Sequence, residues 1–140
     1  MINKVNLLKG GVAVDDRGSI SFVNDFDFNK VKRFYQVENH TINFIRAWHG
    51  HKQEGKYVYV PKGSALIGAV NLATEEITKK ILSAKTPSIL WIPPNHANGF
   101  MNLEQDTIIQ FFSTSSLKDS LNDDIRFPWD KWNIWDIGKR

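Results

Sequence analysis

Ile42-Asn-Phe-Ile-Arg46-Ala-Trp48-His49-Gly50-His51-Lys-Gln-Glu-Gly-Lys56-Tyr-Val-Tyr-Val60-Pro-Lys-Gly63 is the stretch on which the fold turns. Its two ends, Ile42–Trp48 and Tyr57–Val60, are rich in β-branched and aromatic residues and are bounded by turn formers, as short strands are. Alternate residues of a strand share a face, so His49 and His51 are expected to project to the same side. The chain continues outward in the same style. Ile20–Val23, Val31–Val37, Ala65–Leu72, Glu76–Leu82, Ser88–Ile92 and Thr107–Phe112 read as further strands. Asp16-Arg17-Gly18, Pro61-Lys62-Gly63 and Pro93-Pro94-Asn95 punctuate them. Helical periodicity is confined to a turn or two at Ser115–Leu121. Many short strands with almost no helix predict an all-β sandwich or small barrel, in one domain over residues 1–140. The segment Ile125–Trp135 carries three of the five tryptophans and is expected to be an aromatic C-terminal flap over a barrel end or a dimer seam.

Composition narrows the chemistry. The chain is 41% hydrophobic and 24% charged, which is ordinary for a folded globular domain. It has no cysteine, which excludes disulfides, thiolate catalysis, iron–sulfur clusters and cysteine zinc sites. No apolar run is long enough to span a bilayer, and the N-terminus lacks the apolar core and cleavage site of a signal peptide. A cytoplasmic protein with no membrane partner is therefore expected. The net charge of +3 comes from scattered lysines and arginines with acids between them, which argues against nucleic acid. A small phosphorylated ligand, needing two or three placed cations, suits this excess better.

His49 and His51 hold the spacing with which a cupin barrel builds a metal site. That pattern is His-x-His, four residues, Glu, six residues, Gly, then Pro-x-Gly-x-x-His. Here the glutamate is Lys56, the glycine is Gly63, and the segment Pro93 to Asn98 ends in Asn98 where the third histidine belongs. An ammonium repels a cation and an amide is a weak transition-metal ligand, so no metal is expected. The chain resembles a cupin whose metal site has become an organic acid–base site.

A narrower resemblance follows. Asp16-Arg17-Gly18, Phe34-Tyr-Gln36, Arg46-Ala-Trp-His49, Lys56-Tyr-Val58, Gly63 to Leu72, Trp91-Ile-Pro93 to Gly99-Phe100, and Ile125 to Trp135 occur in the order found in the dTDP-4-dehydrorhamnose 3,5-epimerase family. The resemblance implies a jelly-roll β-barrel of the cupin type, a homodimer and a nucleotide-sugar substrate, dTDP-linked. It implies epimerisation at C3 and/or C5 of a 4-keto-6-deoxysugar, in making a surface polysaccharide or glycan. A keto group acidifies the neighbouring C–H bonds and takes up the electrons itself, so no cofactor is expected. By resemblance His49 is the base, Asp130 the carboxylate that orients it, and Lys56 the cation that stabilises the enolate. Arg46 contacts substrate oxygen or diphosphate; Arg17 and Gln36 match positions that hold nucleotide or sugar, Arg17 from across a dimer. His40 and His96 read as loop histidines, and Tyr57 and Tyr59 as facing away from the site.

The departures matter as much. The family's late-strand tyrosine, which returns the proton, aligns with Phe112, which has none to give. The barrel-mouth histidine is Asn98. His51 or a bound water is then the expected donor. Two other readings stay open. The run His49-Gly-His51-Lys52 and the opening Asp16 to Ser19 are similar to the sugar-nucleotide 3,4-ketoisomerases. Loss of the tyrosine fits a non-catalytic cupin that binds a sugar nucleotide.

Overall fold

The structure is a computed structural model that describes residues 3–138. Twelve strands and one helical turn follow each other along these residues. The first three strands are β1 (Asn6–Lys9), β2 (Gly11–Asp15) and β3 (Gly18–Phe22). Next come β4 (Arg33–Val37), β5 (Ile45–His51), β6 (Lys56–Lys62) and β7 (Ser64–Asn71). Then follow β8 (Ile77–Ser83), β9 (Ser88–Ile92), β10 (His96–Asn102) and β11 (Ile108–Ser113). The helical turn α1 (Leu117–Leu121) and the short β12 (Ile125–Arg126) close the list. Two antiparallel five-stranded sheets result, ordered β1-β9-β6-β11-β4 and β12-β5-β10-β7-β8, with β2 and β3 as a separate hairpin. This is the expected jelly-roll architecture, in which β4 to β7, and again β8 to β12, alternate between the sheets.

The core lies between the sheets. Val58, Val60, Leu90, Ile92, Ile109 and Phe111 of the first sheet meet Ala65, Ile67, Ala69, Leu82 and Phe100 of the second. Each fully buried large aliphatic or aromatic side chain contributes about 1.5–3 kcal/mol. Strand alternation then dictates what else faces inward. Lys56 shares its face with Val58 and Val60, which is why a lysine ends up only 6% exposed. Tyr57 and Tyr59 take the other face, and Tyr57 packs on Trp91 at 4.5 Å, as expected of residues pointing away from the site.

The aromatic tail covers the outer face of the second sheet rather than a barrel end. Trp132 and Trp135 pack there on Trp48, Leu66, Val70 and Met101. The Trp129 carbonyl accepts hydrogen bonds from the indoles of both Trp48 and Trp135, each at 3.1 Å. Gly68 permits this close layer: a Cβ there would lie 2.5 Å from Ile134 and 2.6 Å from the Trp48 ring.

One reading of a histidine changes. His96 is not a loop residue; it opens β10, a central strand whose seven residues are all buried. That strand lacks the β-branched run that marks the others. Among the described residues, no helix is long and apolar enough to cross a membrane.

Candidate active site

A cavity of about 310 Å³ opens at one end between the sheets. His49, Arg46 and Asn98 enter it from the second sheet, Lys56 and Tyr35 from the first. Arg46 and His49 are three apart and would not share a face in a regular strand. The β5–β10 pairing shifts register between Asn98 and Phe100, opposite Arg46–His49, and both side chains then reach the cavity. Arg46 is held at the rim by its Nε donating to Asn39 Oδ1 at 2.6 Å, while Asn39 Nδ2 donates to the buried Asn102 at 3.1 Å.

His49 stands directly across from Asn98 in the β5–β10 ladder and from Arg126 in the β5–β12 ladder. Burial first, then the positive charges of Arg126 and Lys56, push its imidazole down from 6.5 to about 4, against the pull of Asp124. His49 is therefore neutral at physiological pH, the form a base requires. Lys56 Nζ bridges the two sheets, donating to Asn98 Oδ1 at 3.4 Å. One cation thus sits beside the ladder partner of His49.

His51 is 6% exposed and also borders the cavity. Its Nδ1 donates to the Asp123 backbone carbonyl, so Nε2 carries the lone pair in the neutral ring. Asp123 does more. Its carboxylate accepts from the backbone N–H groups of Lys52, Gln53 and Glu54 at 2.7, 2.8 and 3.0 Å, fixing the turn between β5 and β6. Burial raises the Asp123 carboxyl, but the three backbone donors and the charge of His51 outweigh it and hold it below 3.8.

Behind Lys56 lies a carboxylate that sequence reasoning missed. The Glu54 side chain is wholly buried, 3.7 Å from Lys56 Nζ, 3.9 Å from Arg33 and 4.0 Å from His51 Nδ1. Burying such a charge alone would be prohibitive; here two cations flank it. Arg33, Tyr35, Asp124 and Arg126 also line the cavity without having been singled out. The alternation Arg33, Tyr35, Val37 along β4 was the readable clue for the first two.

Four expected site residues lie elsewhere. Gln36 takes the outer face of β4, where it accepts from Gln110 Nε2 at 2.9 Å. Phe112 likewise points outward and packs with Phe26, Phe28 and Phe34 at 5.7 to 6.1 Å. The inward aromatic of that strand is its neighbour Phe111, fully buried. Asp130 is exposed in the tail and does not line the cavity; Asp124 is the carboxylate whose charge acts on His49. Arg17 is exposed at the tip of the β2–β3 hairpin, paired with Asp15 at 2.5 Å. His49, Lys56, Arg46, His51 and Asn98 are brought together as expected.

Comparison with known proteins follows the same lines. The family model described as dTDP-4-dehydrorhamnose 3,5-epimerase matches residues 1–135. A spore coat polysaccharide biosynthesis protein, SpsL of Bacillus subtilis (strain 168), is 28% identical over 142 residues, covering 96% of this chain and 94% of that protein. The crystal structure of dTDP-4-dehydrorhamnose 3,5-epimerase from Sulfolobus tokodaii superposes with a TM-score of 0.76 at 27% identity, covering 93% of this chain and 81% of that one. The 3,4-ketoisomerase QdtA from Thermoanaerobacterium thermosaccharolyticum, as a double mutant in complex with TDP, gives 0.73 at 21% identity, covering 91% and 90%.

Proposed function

The chain belongs to the dTDP-4-dehydrorhamnose 3,5-epimerase family, and from that premise we propose that it epimerises C3 and/or C5 of a dTDP-linked 4-keto-6-deoxysugar. The observation that carries this reading is the pairing across one cavity of a neutral, half-buried imidazole, His49, with the ammonium of Lys56. His49 removes a proton α to the C4 ketone. The electrons move onto the ketone oxygen, and Lys56 stabilises the enolate so formed, the charge that develops in the transition state. Arg46, Arg33 and Arg126 at the cavity supply cations for the diphosphate, and Asn98 an amide that holds Lys56 in place.

The protein's setting is inferred in the same way. The similarity to a spore coat polysaccharide protein supports a role in building a surface polysaccharide or glycan, and a cytoplasmic location goes with a nucleotide-sugar substrate. Val14 and Ile20 of the β2–β3 hairpin are 75% and 66% exposed, apolar surface that a homodimer would cover. In such a dimer Arg17, at the hairpin tip, would reach the partner's site rather than its own.

Incubation with dTDP-4-keto-6-deoxyglucose in deuterated water tests the reading. Deuterium at C3 or C5 that His49→Asn abolishes is the expected result; no wash-in at high enzyme concentration refutes it. A second reading, 3,4-ketoisomerisation, is favoured by one feature: His51 borders the same cavity as His49 on the same strand. Its mark in the same experiment is a 3-keto product.

A further inference from the structure

Inverting a carbon requires a proton taken from one face and another returned to the opposite face. His49 enters from the second sheet, so the returning acid belongs on the first. The first sheet's residues that line the cavity are Arg33, Tyr35 and Val37 of β4 and Lys56 of β6. Val37 has no proton to give, an arginine does not release one, and Lys56 is the cation for the enolate. One weak acid is left, the phenol of Tyr35.

Its placement is specific. Tyr35 is the ladder partner of Phe111 in the β4–β11 pair, and the two rings stack at 4.9 Å with planes 12° apart. The hydroxyl absent from the late strand is present one strand over, on the ring lying flat against it. Two cations flank that ring, Arg33 at 5.1 Å and Lys56 at 5.6 Å from its centroid.

We propose that Tyr35 is the acid that returns the proton to the face opposite His49, a role that rests on the epimerase reading. The step balances within the site. The substrate C–H bond breaks to His49, forming imidazolium and enolate. The Tyr35 O–H bond then breaks as a new C–H bond forms on the other face of the same carbon. The imidazolium loses its proton to solvent and the tyrosinate regains one, restoring both groups.

The test separates the two half-reactions. In deuterated water the variant Tyr35→Phe is expected to keep His49-dependent wash-in of deuterium while formation of inverted product falls by about 100-fold or more. Thermal melting and dTDP binding verify that the variant is folded. Inversion within threefold of wild type overturns the assignment, and so does equal loss of wash-in and inversion in a folded variant. Wild type supplies a measurement independent of the variant's folding. In a single turnover the inverted carbon should carry solvent deuterium, and reappearance of the substrate's own proton there overturns a second acid altogether. Absence of any wash-in by wild type overturns the epimerase reading and Tyr35 with it, an outcome distinct from a wild type that turns over and a Tyr35→Phe that does so equally.

Discussion

The pH dependence of catalysis follows from what surrounds His49. With its imidazole at about 4, some 97% of the empty enzyme holds the neutral base at pH 5.5; at the ordinary 6.5 only about 9% would. Since kcat/KM reports the free enzyme, it should stay level from pH 8 down to about 5, where an unperturbed histidine would already have lost about thirtyfold. Bound substrate changes the balance. A diphosphate placed against Arg46 and Arg126 offsets the positive charge that helps to depress His49, so its proton affinity rises in the complex. The acid limb of kcat, which reports the complex, should therefore lie at higher pH than that of kcat/KM. Arg126→Gln removes the same charge and releases Asp124 from its 3.0 Å pairing, and both effects move the kcat/KM limb upward. The assay is initial-rate deuterium wash-in between pH 4 and 8, with circular dichroism at each pH to verify folding. A kcat/KM limb at about 6.5 in wild type, or one that Arg126→Gln leaves in place, would refute the reasoning.

Three further outcomes are expected. Lys56→Met should lower kcat by about 100- to 1000-fold with a smaller change in KM, because the ammonium acts on the developing enolate; steady-state kinetics read the split. Glu54→Leu strands the cations of Lys56 and Arg33 and should cost about 3 kcal/mol in urea unfolding, whereas Lys56→Met with Glu54→Leu together should cost less than the sum of the two. Asp123→Ala frees three backbone N–H groups and should cost about 2–3 kcal/mol. The Asp123 carboxyl lies below its unfolded value, so its stabilisation is present above about 3.8 and is lost as pH falls through the folded value. His49 adds to acid sensitivity: between 6.5 and about 4 the unfolded chain binds a proton that the folded chain does not, so stability falls across that window. Melting temperatures of His49→Asn and Asp123→Asn against pH should separate the two contributions.

The sequence carried the fold and half of the site for identifiable reasons. Lys56 sits in phase with Val58 and Val60, so a period-2 reading turns it inward together with them. His49 and His51 follow the same rule. Period 2 gives no such guide on β4 and β11, where both faces are apolar: Phe34 and Phe112 belong to an outer aromatic cluster while Tyr35 and Phe111 face inward. A Phe-Phe pair gives no indication of which ring is inside, and the resemblance pointed to Gln36 and Phe112, which the structure places on the outer face. Asp130 failed for a different reason. Its placement depends on the route of the tail over the outer face of the second sheet, which no local pattern encodes. Glu54 and Asp123 are joined to their partners by contacts spanning up to 71 residues, and charge compensation of that kind is visible only after folding.

Trp48 and His49 are consecutive, and one faces the tail while the other faces the cavity. The indole of Trp48, wholly buried, shares the Trp129 carbonyl with Trp135 and lies 5.6 Å from Trp132. The molecule thus has a built-in optical gauge. Three coupled indoles report, by the wavelength and intensity of their emission, whether the aromatic tail is seated behind β5. Titrating ligand or acid while watching native fluorescence would follow the back of the reactive strand without a label and with no reporter placed in the cavity itself.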